Sequence, residues 1–174
     1  MIISPKLMDL YRLERKLYLN KIPVLPDFIY HFIYFLHNSR IPYQAEIGEG
    51  SESNGGGIHI HADVKIGCNV MISQHTAIGP RKGKDGVPKV GNNVHLGPGA
   101  KILGPVEIGD NSIIGANAVV LDSVPPYSIV AGIPARVVRR DETISMKSGV
   151  LTKKSLAAKK DREEEAISPD DNDE

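Results

Sequence analysis

The sequence predicts a mainly β chain wound as a parallel β-helix behind a short N-terminal α-helical region. Three observations lead there: aliphatic residues recur every six positions, glycine commonly follows them, and both ends of the chain differ in composition from its middle. Positions 60, 66, 72, 78, 90, 96, 102, 108, 114 and 120 are all aliphatic, and Lys84 is the one gap. Four residues after these sites stand Val64, Val70, Thr76, Val94, Ala100, Val106, Ser112, Ala118 and Val124, and glycine follows the aliphatic at 67, 79, 91, 97, 109 and 115.

Residues six apart lie about 600° apart around an α-helix, on opposing faces, so this pattern is not helical. Each hexad instead supplies a short strand and a turn, and three hexads close one triangular coil. Counted at about 18 residues per coil, columns such as Ile60, Ile78, Leu96 and Ile114 are expected to stack about 4.8 Å apart. On the same count His59 and His95 share an outward column with Ala77 between them. GPRKGKDGVPK, between Ile78 and Val90, lacks the hexad pattern and is expected to be a loop thrown outward while the register continues beneath it.

Residues 1–40 read as the helical region. Leu7, Leu10, Tyr11, Leu13, Leu17 and Tyr18 form one stripe of an amphipathic helix, with Arg12, Arg15 and Lys16 on its other sides. Pro23 and Pro26 interrupt it, and Asp27 is expected to cap a second helix, DFIYHFIYFLHNSR, rich in Phe and Tyr. That helix is too short to span a bilayer. It is expected to pack on the protein or on a neighbouring subunit, with contact to a membrane surface as the alternative. Residues 41–140 carry the repeat. Residues 141–174 are charged and poor in large apolar side chains, the composition of a disordered tail, with a transient helix around 154–166.

Basic and acidic residues balance at 21 each, which gives no electrostatic reason to expect nucleic acid as a partner. Cys68 is the single cysteine, so neither a disulfide framework nor a zinc motif of cysteines is present, and no metal is expected. The first residues lack the pattern of a secretory signal, and the expected address is cytoplasmic.

With IPYQAEIGEG, GIHIHADVKIG, GPGAKILGPV, VEIGDNSIIGANAVVLDSVPP and AGIPARVV, the chain resembles the hexapeptide-repeat acyltransferases, most closely serine acetyltransferase, with polysaccharide O-acetyltransferases beside it. The resemblance implies a left-handed β-helix, a homotrimer or dimer of trimers, acetyl-CoA as donor substrate, and clefts between subunits. It also implies that Gly79, Gly97, Ala116 and Ala118 leave room for the pantetheine arm, and that Arg136, with Lys101, meets the CoA phosphates.

Three positions depart from serine acetyltransferase. Its Asp-His-Ala-Thr-Gly pattern at the catalytic base is met here by Ser53-Asn54-Gly55-Gly56-Gly57, and an amide takes no proton at neutral pH. Its Asp-Arg-His-Pro-Lys loop becomes Asp85-Gly86-Val87-Pro88-Lys89, and Arg40 stands about where it has an aspartate. His75 and His61 are therefore the candidate catalytic bases, and a sugar hydroxyl is expected as acceptor in preference to free serine. An amino-sugar N-acetyltransferase and a non-catalytic partner-binding β-helix are the alternatives.

Overall fold

The computed structural model describes residues 6–140 together with 146–147 and 150–151. The expected disordered tail and its helix around 154–166 fall outside the described residues, apart from two short antiparallel strands at Met146–Lys147 and Val150–Leu151.

Three parallel sheets form the sides of a prism, because consecutive strands go to different sheets and every third returns to the same one. The first face stacks β1 (Glu46–Ile47), β4 (Lys65–Ile66), β7 (Lys89–Val90) and β10 (Glu107–Ile108). The second stacks β2 (Glu52–Asn54), β5 (Met71–Ser73), β8 (His95–Leu96), β11 (Ile113–Ile114) and β13 (Ser128–Gly132), and the antiparallel β14 (Ala135–Arg140) closes its edge. The third stacks β3 (His59–Ile60), β6 (Ala77–Gly79), β9 (Lys101–Leu103) and β12 (Val119–Val120).

The hexad aliphatics point inward and are buried, as the period requires. Their stacking differs from the expected columns. Ile78 pairs with Ile102 and not with Leu96, which pairs with Ile72 and Ile114. Pairs such as Ile66 with Val90 and Ile72 with Leu96 also lie 24 positions apart, so the coil carrying the outward loop has six residues more than its neighbours. The loop takes a whole hexad out of the wall. An aliphatic count cannot reveal this, since an insertion of six leaves the phase unchanged.

Asparagine and glycine line the coil corners, where the backbone turns through the left-handed region, as at Asn69, Asn93, Asn111 and Asn117 with φ of 54° to 58°. Between strands, Ser51 Oγ donates to Gly67 O and accepts from the Val70 N–H, each at 3.0 Å, which satisfies a buried hydroxyl.

Helices α1 (Leu7–Leu19) and α2 (Leu25–His37) form a hairpin whose first arm covers the open end of the prism. α1 buries Leu7, Met8, Tyr11 and Glu14, whereas Leu13 and Tyr18 of the expected stripe are exposed. Backbone carbonyls of the first coil turn the helix this way. Tyr11 Oη donates to Ala45 O at 2.7 Å, Arg15 reaches Tyr43 O and Ala45 O, and Arg12 reaches Ser51 O at 2.8 Å. α2 starts at Leu25 with Pro26 in its first turn, where a missing N–H costs nothing. Asp27 makes no cap and instead accepts from Tyr43 Oη at 3.0 Å. The helix buries Pro26, Ile29 and Ile33 and turns Phe28, Phe32 and Phe35 outward. No described helix is long and apolar enough to cross a membrane.

Candidate active site

Because side chains alternate across a strand, the third face carries two outward columns. One runs Arg40, His59, Ala77, Lys101, Val119, with Arg40 joined by a parallel bridge to His59. The other passes from His61 to Gly79 and Leu103. Ala77 and Gly79 are the smallest members, so together they floor a trough between the histidines and the longer side chains beyond. At Gly79 an added Cβ meets nothing closer than His61 Cβ at 3.7 Å; the absent side chain there reflects no crowding within the chain.

His75 stands at the corner that feeds this trough, between β5 and β6. Its φ is 60°, its N–H donates to Gly56 O at 3.0 Å, and Lys101 Nζ donates to its carbonyl at 2.6 Å. The imidazole lies against Gly57, where a Cβ would fall 2.4 Å from Nδ1. In the same corner column the other coils place Gly57, Gly99 and Asn117, so His75 is the one bulky side chain of that column. His75 is exposed. His61 is half-buried and accepts the Asp63 N–H at Nδ1 at 3.3 Å, which leaves Nε2 as its outward nitrogen.

Three rises of about 4.8 Å, roughly 14 Å, separate the coil of His61 from that of Leu121. At the far end opens a cavity of about 400 Å³ lined by Arg81, Lys84, Leu103, Pro105, Leu121 and Asp122 among others. Arg136 Nη1 pairs with Asp122 Oδ2 at 3.2 Å, so the one acidic wall already has a cation and Arg81 and Lys84 face the opening as the remaining positive groups of that wall.

The structure thus gathers His75, His61, Gly79 and Arg136 along one surface and separates other candidates from it. Gly97 is explained by stacking, since a Cβ there would come within 2.7 Å of Ile114 O and 2.8 Å of Ala116 N. Ala118 points into the core at 0% exposure, out of reach of anything lying outside the coil, whereas Ala116 is exposed at a corner. Lys101 stays on the same face, where its ammonium donates to the His75 carbonyl, and it does not line the cavity. His95 does not share a column with His59: it stacks between Met71 and Ile113 on the second face, with Nδ1 buried without a partner and burial favouring its neutral form. Asn54 lies exposed in β2 opposite Ser73. Arg40, His59, Arg81 and Lys84 complete the surface although the sequence did not single them out for it. Only the true register, with Lys101 in place of His95 above Ala77, brings the first two together with Lys101. Among the described residues no three His, Cys, Asp or Glu side chains gather as a metal site.

The family model for the bacterial transferase hexapeptide, six repeats, matches residues 88–122. A serine acetyltransferase of Staphylococcus xylosus is 39% identical over 132 residues, covering 74% of this chain and 61% of that protein. Among solved structures, serine acetyltransferase from Brucella abortus strain S19 in complex with coenzyme A superposes with a TM-score of 0.72 at 29% identity, over 76% of this chain and 54% of that one. Neisseria gonorrhoeae serine acetyltransferase in complex with serine gives 0.70 at 31%, over 76% and 55%. The chain therefore spans between half and two thirds of the length of these relatives. It is a hexapeptide-repeat protein with the left-handed β-helix of that group, an exception to the usual right-handed crossover.

Proposed function

We propose that this hexapeptide-repeat chain is an acetyl-CoA-dependent O-acetyltransferase whose donor lies along the outer third face. The observation that carries the reading is the trough over Ala77 and Gly79, which joins a histidine end to a basic cavity. The thioester sits at the histidines, the pantetheine arm follows the small residues, and Arg81 and Lys84 meet the phosphates as charge-assisted donors. Arg136 acts through Asp122, which it keeps from repelling the phosphates.

His75 is the proton acceptor in this reading. The acceptor oxygen attacks the acetyl carbonyl as its proton passes to the imidazole, and a C–O bond forms. The tetrahedral species collapses with loss of the C–S bond, and the thiolate takes the proton back from the imidazolium. The products are the acetyl ester and free CoA, with no net proton change. His61 borders the same trough, but with Nδ1 accepting the Asp63 N–H its outward Nε2 carries the hydrogen, which suits it to donate to the reacting groups and leaves the base to His75.

The relatives favour free serine as acceptor and lend nothing to the sugar hydroxyl expected from the sequence. We therefore take serine first, with sugars and amino sugars as comparison acceptors. We also propose a cytoplasmic homotrimer or dimer of trimers. Support comes from half-buried Met71, Ile113 and Ile129 in one outward column of the second face and from the exposed aromatic face of α2.

Calorimetric titration with acetyl-CoA and with CoA tests the donor side. Micromolar binding, about −8 kcal/mol, agrees with the proposal, and no heat at millimolar ligand would leave a non-catalytic partner-binding β-helix as the better account.

A further inference from the structure

Beside the trough runs a strip of nitrogen-bearing side chains: Arg40, His59 and Lys101, with Ala77 leaving a gap between the last two. Two rises, roughly 10 Å, separate the His59 and Lys101 backbones, room for a ligand the size of an amino acid. The Arg40 guanidinium lies 5.0 Å from the Tyr34 ring centre, a contact that orients its planar face. Lys101 is held at the His75 corner by its bond to that carbonyl. His59 feels desolvation first and then Arg40, Lys101 and His75, and all four influences favour its neutral form. Arg40 and Lys101 are the cations beside it, and Arg40 and His59 are both exposed, so the strip is an open, positively charged edge of the third face.

We propose that Arg40, His59 and Lys101 seat a carboxylate on the acceptor and make the chain select hydroxyl acceptors that carry one over neutral analogues. The proposal rests on the acetyl-transfer reading and adds the residues that set acceptor choice. A carboxylate suits the strip because a guanidinium offers two parallel donors to a planar pair of oxygens, and the ammonium closes the other side. With the carboxylate there, the hydroxyl of a small acceptor reaches toward His75, one corner away.

The test follows the ring signals of His59 by NMR in histidine-labelled protein, assigned with His59→Gln, during titration with L-serine, serinamide and inorganic phosphate. Serine is expected to shift the His59 signals saturably and to raise the pH midpoint of that ring by bringing a negative charge among Arg40, Lys101 and His75, while serinamide leaves the midpoint in place. Arg40→Gln and Lys101→Met should each weaken serine binding roughly 10- to 100-fold, the loss of one charge-assisted hydrogen bond. Equal responses to serine and serinamide, or unaltered serine binding in both variants, would overturn the seat. A response to phosphate stronger than to serine would overturn the carboxylate assignment. Acetyl-CoA binding, read calorimetrically on the same samples, separates the two ideas: bound acetyl-CoA with a silent His59 removes the seat alone, and a serine response without acetyl-CoA binding supports the seat while removing the transferase reading.

Discussion

His75 holds a left-handed backbone conformation at a position where the next coils use Gly99 and Asn117. That conformation costs most L residues about 1–2 kcal/mol, and asparagine tolerates it better because its short side chain bonds locally. A histidine kept there without structural need fits a chemical role. Glu14 is a second costly residue. It is 0% exposed, neither carboxylate oxygen has a well-formed hydrogen bond, and burial, offset only in part by the nearby Tyr43 backbone, raises its pKa from 4.5 to about 8. Between those values the folded chain holds a proton that the unfolded chain has released, so stability falls as pH rises through the window, by about 1.4 kcal/mol per unit. Glu14→Gln is expected to flatten the thermal midpoint between about pH 5 and pH 8 and to raise it at the upper end. A wild-type midpoint that does not fall over this range would refute the assignment. The histidines and small residues were legible in the sequence as residue types. Their roles were not, because Gly79 and Gly97 look alike in a hexad and only the packing shows that Gly97 is crowded by backbone and Gly79 is not.

At the scale of elements, the period of six disclosed the coils, the inward ladders and the outward loop. It misplaced the upper coils by one face, since an extra hexad is invisible to its own period. A strict count therefore sets His95 in the column of His59, whereas Lys101 is the true neighbour across Ala77. Helix α1 was legible as an element, yet its buried face is set by Tyr11, Arg12 and Arg15 reaching carbonyls of the first coil, contacts no moment of hydrophobicity contains. Deleting residues 82–87, six positions of the outward loop, should leave a regular coil. The variant is expected to keep its circular dichroism spectrum and to lose at least tenfold in acetyl-CoA affinity as Lys84 is removed. Unchanged affinity would move the phosphate site away from this loop.

Across the whole molecule, the described residues leave two largely apolar surfaces outward, the column Met71, His95, Ile113 and Ile129, in which His95 is the polar member, and the α2 face with Phe28, Phe32 and Phe35. Surfaces of this kind mark contact sites. Sedimentation equilibrium is expected to give three or six copies, and Phe28→Ser with Phe35→Ser to lower the number or leave it at three. A monomer that partitions into lipid vesicles would assign the aromatic face to a membrane surface instead. The account turns on His75 serving acetyl transfer along the third face, and the most direct measurement is serine-dependent release of free CoA thiol by wild-type protein and by His75→Asn. Asparagine suits that corner, so the variant should fold as the wild type does and lose roughly 100- to 10,000-fold in rate, with O-acetylserine as the wild-type product. Equal rates in the two proteins, or no thiol released by the wild type with serine at saturating acetyl-CoA, would contradict it.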